Sequence, residues 1–200
     1  MYKGNSSRVL PVVIVLIVIA IAVAALVSIG RVIFSGGSPA DSSQVDTSRE
    51  SLLNTASDHN VRMTVRGPIV ADEDFRSYRV TINATSRSLV TYSGYLDETI
   101  GSKRLNNNNR AYEQFVHALD KANLVKGTPY NDERDDTRGI CATGRVYEFE
   151  VRDSDGAVKR LWTSTCRGSK GTFVGSVEQV SNLFLEQIPD NDELLDKIDL

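Results

Sequence analysis

RVYEFEVRDSDGAVKRLWTSTC, Arg145 to Cys166, reads as two strands joined by a tight turn. Arg145 to Arg152 and Val158 to Thr165 alternate in polarity, and Asp153-Ser154-Asp155-Gly156 between them is a turn signal. Pairing Arg152 with Ala157 sets Val151 opposite Val158, Glu150 opposite Lys159, Phe149 opposite Arg160 and Tyr147 opposite Trp162. Apolar residues then largely meet apolar ones and acid meets base. Extended to its open end, this hairpin puts Cys141 and Cys166 on the Tyr147 and Trp162 face, offset diagonally by two positions. Gly139 and Gly144 are places where a bulge closes that gap. These are the chain's only two cysteines, and a disulfide between them is the expectation. Closing such a loop stabilises a fold by about 3 kcal/mol in the chain-entropy model.

Outward from the hairpin, the pattern alternates between helix and strand signals. Thr47-Ser48-Arg49-Glu50 has the form of a capping box and predicts a helix to about His59, with Leu52, Leu53 and Ala56 inward. Val61, Met63 and Val65 alternate with Arg62, Thr64 and Arg66, which predicts a half-buried strand ended by Gly67-Pro68. Tyr78 to Asn83 and Leu89 to Tyr95 predict two more. Arg110 to Val125 carries Tyr112, Phe115, Leu119 and Ala122 at helical spacing, with Asn109 as cap and Gly127 beyond the end. Ser176-Val177-Glu178-Gln179 opens a last helix, with Val177, Val180, Phe184 and Ile188 inward and Pro189 as its stop. Strands grouped in hairpins rather than alternating singly with helices point to an α+β fold. The expected form is an antiparallel sheet of about five strands with two to three packed helices.

The other end of the chain sets its expected location. Val9 to Gly30 is 22 residues without a charge. As a helix it is about 33 Å long, enough for the ~30 Å hydrocarbon core of a bilayer. It reads as one transmembrane signal anchor (9–30) behind a short cytoplasmic tail (1–8). Lys3 and Arg8 before the span against Arg31 after it favour a cytoplasmic N-terminus and an extracytoplasmic C-terminal domain. This makes the expected localisation the plasma membrane, single-pass, with residues 9–30 in the lipid bilayer. A Gly/Ser linker (31–46) tethers the α+β domain (47–190), and an acidic tail (191–200) follows. The formal net charge is −3. Because the first 35 residues are basic, the remainder is more acidic still, which argues against a nucleic-acid partner.

No pattern of residues forms a complete catalytic or cofactor signature, so no catalytic residue, metal ligand or cofactor is assigned. Trp162-Thr163-Ser164-Thr165-Cys166 behind an N-terminal anchor resembles the sortase pattern, in which a cysteine thiolate works with a histidine and a later arginine. Here His117 falls on the outer side of its helix, and Arg167 adjoins the cysteine and so points to the other face. A thiol without those partners is a poor nucleophile. The acids Asp132, Glu133, Asp135 and Asp136 could gather around calcium, but such a run usually reads as a solvated loop. Arg167 and Lys170, in the turn after Cys166 and beside Thr163 and Thr165, are the candidate ligand or partner contacts.

The segments Gly139-Ile140-Cys141, Tyr147-Glu148-Phe149, Leu161 to Cys166, Gly171-Thr172-Phe173 and Gln187-Ile188-Pro189-Asp190 carry a resemblance. With the anchor, they are similar to small membrane-anchored extracytoplasmic proteins of candidate-phylum bacteria such as Saccharibacteria. That resemblance implies a surface location and no particular activity. The expected role is a binding or structural module of the cell envelope with a protein or envelope-polymer partner. The alternatives are a cysteine-dependent envelope enzyme using Cys166 and a subunit of a membrane secretion or appendage complex.

Overall fold

The computed structural model describes residues 47–200. The expected span, its cytoplasmic tail and the linker lie outside the described residues. Among the described residues no helix is long and apolar enough to cross a membrane.

Six antiparallel strands form one sheet: β1 (Asn60–Arg66), β2 (Arg76–Asn83), β3 (Ser86–Ser93), β4 (Glu98–Asn106), β5 (Val146–Asp153) and β6 (Gly156–Ser164). Their spatial order is β4-β3-β2-β1-β5-β6. The helices are α1 (Ser48–Leu53), α2 (Asn109–Lys121), α3 (Val177–Leu185) and α4 (Asp192–Leu195). The α+β class and antiparallel pairing agree with the reading from sequence. The strand count rises from about five to six because β4 carries no apolar alternation.

Period-two alternation decides which side of the sheet is core. One row crosses all six strands: Lys103, Leu89, Val80, Met63, Phe149 and Leu161. Its apolar members are at most 2% exposed. Helices cover this side. Phe184 of α3 meets Phe115 of α2 edge-on at 5.4 Å between ring centroids, and Phe149 lies 4.7 Å from Phe173. Lys103, at the sheet edge, reaches the Pro189 carbonyl at 2.6 Å. Residues 191–200, expected as a tail, bury Leu194 and Ile198 in the same core.

Local chemistry corrects several boundaries. Thr47 makes no side-chain cap to α1. The helix ends at Leu53 because Asn54 Oδ1 accepts from the Ala56 amide in a local turn, which leaves Ala56 exposed. Asn108, not Asn109, caps α2, accepting from the Ala111 amide at 3.0 Å. Ser176 caps α3 as expected, accepting from Gln179. Tyr95 lies beyond β3, in the turn to β4.

The hairpin register also differs. Arg152 faces Ala157 as expected, but a bulge at the next step makes Val151 face Lys159, Phe149 face Leu161 and Glu148 face Trp162. Val158 is the extra residue and is left exposed. The shift places Leu161 on the buried row and moves Trp162 to the opposite face.

Candidate functional site: two cavities around a disulfide-held loop

The face of the sheet away from the helices is charged. Arg160, Glu150, Arg62, Thr81, Ser88 and Arg104 form one row across it, and Trp162, Glu148, Thr64, Arg79, Val90 and Ser102 form the next. Arg62 sits below the usual guanidinium range because burial outweighs the attraction of Glu150. Burial would lower Arg160 as well, but Glu148, Asp135 and Glu150 overcome it and raise that group.

The segment between α2 and β5 folds over this face and is bound there by the buried carboxylate of Glu148. That carboxylate accepts from Arg66 at 2.8 Å, from the Thr137 hydroxyl at 2.7 Å and from Arg160 at 3.4 Å. Arg160 also donates to the Asp135 carbonyl and carboxylate, at 3.0 and 2.8 Å. Asp132 pairs with Arg134 and Asp136 with Arg138. The acids first weighed as calcium ligands are therefore largely matched to arginines. Among the described residues no group of acidic, histidine or cysteine side chains is arranged to hold a metal ion.

The far end of the loop is covalently held. Cys141 and Cys166 form a disulfide with their Cα atoms 5.5 Å apart. Gly144 makes room for it, since a Cβ there would lie 2.2 Å from Thr165 Oγ1 and 3.0 Å from Cys141 Sγ. Cys166 thus carries no thiolate in this state, and His117 is exposed on α2. Neither His117 nor Arg167 lines either of the cavities described next.

Two cavities share this loop as a wall. The first, 510 Å³, is lined by Ile69, Phe75, Tyr95 and Val146, with Arg66 and Arg138 at its polar edge. Its rim is held by contacts within the chain. Tyr95 stacks on Phe75 at 4.1 Å, and its hydroxyl donates to the Val70 carbonyl at 2.8 Å. Ile69, Val70, Tyr95 and Leu96 leave an apolar patch open to solvent, with Leu96 94% exposed. The second cavity, 420 Å³, lies between Tyr130, Arg134, Trp162 and the Gly168–Gly171 turn that bears Lys170.

Of the four candidate contacts, Lys170 lines the second of these two cavities and the other three line neither. Thr163 is buried beside Tyr147 on the helix side of the sheet. Thr165 Oγ1 is occupied by the Arg145 amide at 2.9 Å, and Arg167 is exposed beyond both cavities. The sequence reading missed Trp162 and Tyr130 as cavity residues, and the Ile69–Leu96 patch entirely. Two isolated apolar loops give no periodic signal; only the fold brings them together.

No protein family and no curated protein matches this chain in sequence.

Proposed function

We propose that the chain is a membrane-anchored, extracytoplasmic binding module of the cell envelope, and that it acts by docking a protein partner rather than by catalysis. The observation that supports this reading is the first cavity. It is apolar, its aromatic shelf is held by the Phe75–Tyr95 stack, and its rim exposes large apolar side chains. A contiguous exposed apolar patch is costly in water and marks an interaction surface more often than not. The bordering charges are already spent on one another: Arg66 on Glu148, Arg138 on Asp136 and Arg79 on Asp97. Such a site selects apolar side chains, and a protein surface supplies them. The anchor at 9–30 and the cysteine pair set the expected address, facing an oxidising space.

The test is site-specific photo-crosslinking from position 96 of the full chain in its native membrane, with position 117 as control. The expected result is a discrete protein adduct from position 96 that is lost in Ile69→Asp while the disulfide still forms. The same diffuse products from both positions, or an adduct indifferent to Ile69→Asp, would overturn the reading.

A further inference from the structure

The first cavity opens on a lip whose unmatched charge is negative. Ile69, Val70, Tyr95 and Leu96 are its exposed apolar residues, and the short 3-10 turn Asp72–Asp74 runs beside them. Asp72 ties that turn to the aromatic shelf, since its Oδ1 accepts from the Tyr95 amide at 2.8 Å. Glu73, Asp74 and Glu98 are exposed and make no ion pair among the described residues. Most of the nearby cations are matched. Arg66 and Arg138 on the inner wall pair with Glu148 and Asp136, and Arg79 pairs with Asp97. Arg76 turns its guanidinium onto the carbonyls of Glu73 and Phe75, at 2.6 and 2.9 Å. Asp72, Glu73, Asp74 and Glu98 therefore stand against one unmatched cation, Arg76.

An apolar patch on a membrane-tethered domain has three ready occupants: the bilayer, a second copy of the chain, or another protein. Charge separates them. Leu96 cannot enter a bilayer without drawing Asp97 and Glu98 towards the hydrocarbon, where an ionised carboxylate is costly, and anionic headgroups would repel all four unmatched acids. A second copy docked through the same face would set acids against acids, because a two-fold contact brings identical patches together. A protein segment with a large apolar side chain and basic neighbours meets both the apolar centre and the acidic rim.

We propose that the occupant of the first cavity is a basic segment of another protein. One large apolar side chain of that segment packs between Ile69, Phe75, Tyr95 and Val146, and lysine or arginine residues beside it pair with Glu73, Asp74 and Glu98. This rests on the docking reading above and adds the partner's chemistry to it.

The test is the crosslink from position 96 of the full chain in its native membrane, with charge as the variable. Glu73→Lys together with Asp74→Lys, both at exposed positions, is expected to lower the yield of the protein adduct about fivefold. Glu113→Lys together with Glu186→Lys, an equal change of charge at exposed helix positions, should leave the yield unchanged. Raising the salt from about 0.05 to about 0.5 M should lower the wild-type yield, because it shortens the screening length. Mass spectrometry of the adduct should find a lysine or arginine beside the partner's crosslinked residue. A discrete adduct that is lost in Ile69→Asp, yet indifferent to salt and to the Glu73 and Asp74 changes, would overturn the basic partner and leave the docking reading standing. An adduct to a second copy of this chain or to lipid would overturn it too, and the absence of any discrete adduct would bring down both.

Discussion

Glu148 is where the loop and the sheet are joined, because three donors from three segments converge on one buried carboxylate. Glu148→Ala leaves Arg66 without this carboxylate and Arg160 held by Asp135. Removing one partner of a buried pair costs about 3 kcal/mol or more, and the partial exposure of both arginines places this one at the low end. Urea unfolding of the full chain measures it; a loss under about 1 kcal/mol would mean that water already screens the cluster. Gly171 is constrained by a different cause. Its φ is +68°, and a Cβ there would sit 2.2 Å from the Trp162 carbonyl oxygen and 2.6 Å from the indole ring. Gly171→Ala therefore meets both backbone strain and a clash. It should destabilise by about 2 kcal/mol and shift the emission of the single tryptophan, whereas Gly168→Ala, which meets backbone strain at φ +91° but no clash with the indole, should leave that emission in place. At this scale the disulfide was readable, because two cysteines at the open end of one hairpin have few other fates. Trp162's true face was not. A one-residue bulge inverts every side chain beyond it, and nothing in Gly156-Ala157-Val158-Lys159 announces which residue will be extra.

Among elements, β4 and the loop before β5 were the least legible, for opposite reasons. Glu98–Asn106 is mostly exposed, so it has no buried side to impress a pattern on its sequence, and only pairing with β3 makes it a strand. The 132–138 loop looked like solvated acid because its arginine partners on the sheet are distant in sequence, as Arg160 is from Asp135. Its internal pairs imply a pH response. The Arg138 side chain, hydrogen-bonded to Asp136, lowers that carboxyl to about 2. Asp132 is lowered by Arg134 in the same way. A carboxyl depressed in the folded state stabilises it above the unfolded value of about 3.9 and loses that contribution as pH falls through the folded value. Because these pairs are exposed and each contributes little, the loop should loosen only partly, with amide protection falling between about pH 4 and pH 2 ahead of the β1–β2–β5 core. Hydrogen exchange across that range checks this. Protection lost well above pH 4, or kept at pH 2 alongside the core, would show that these pairs do not govern the loop.

For the whole molecule, the disulfide joins two levels of organisation, since Cys141 ends the docked loop and Cys166 begins the Lys170 turn. The link closes a separation of 25 residues, worth about 3.5 kcal/mol of unfolded-state entropy. In a domain of this size each kcal/mol moves the melting temperature by about 2–4 °C, so the double variant Cys141→Ala, Cys166→Ala should melt roughly 10 °C lower. The sheet core does not depend on the bond: its central row is filled by Leu89, Val80, Met63, Phe149 and Leu161. The variant should thus fold cooperatively yet lose order in both cavities, visible as exchange broadening of the single indole crosspeak. The same bond reports the domain's address. If the span at 9–30 leaves the domain outside, protein taken from its native membrane should resist thiol alkylation until reduced, because oxidising spaces preserve such bonds and the cytosol does not. Two freely alkylated thiols would place the domain on the reducing side. The extracytoplasmic reading would then fall, and Cys166, freed from its partner, would become the first residue to test for reactivity.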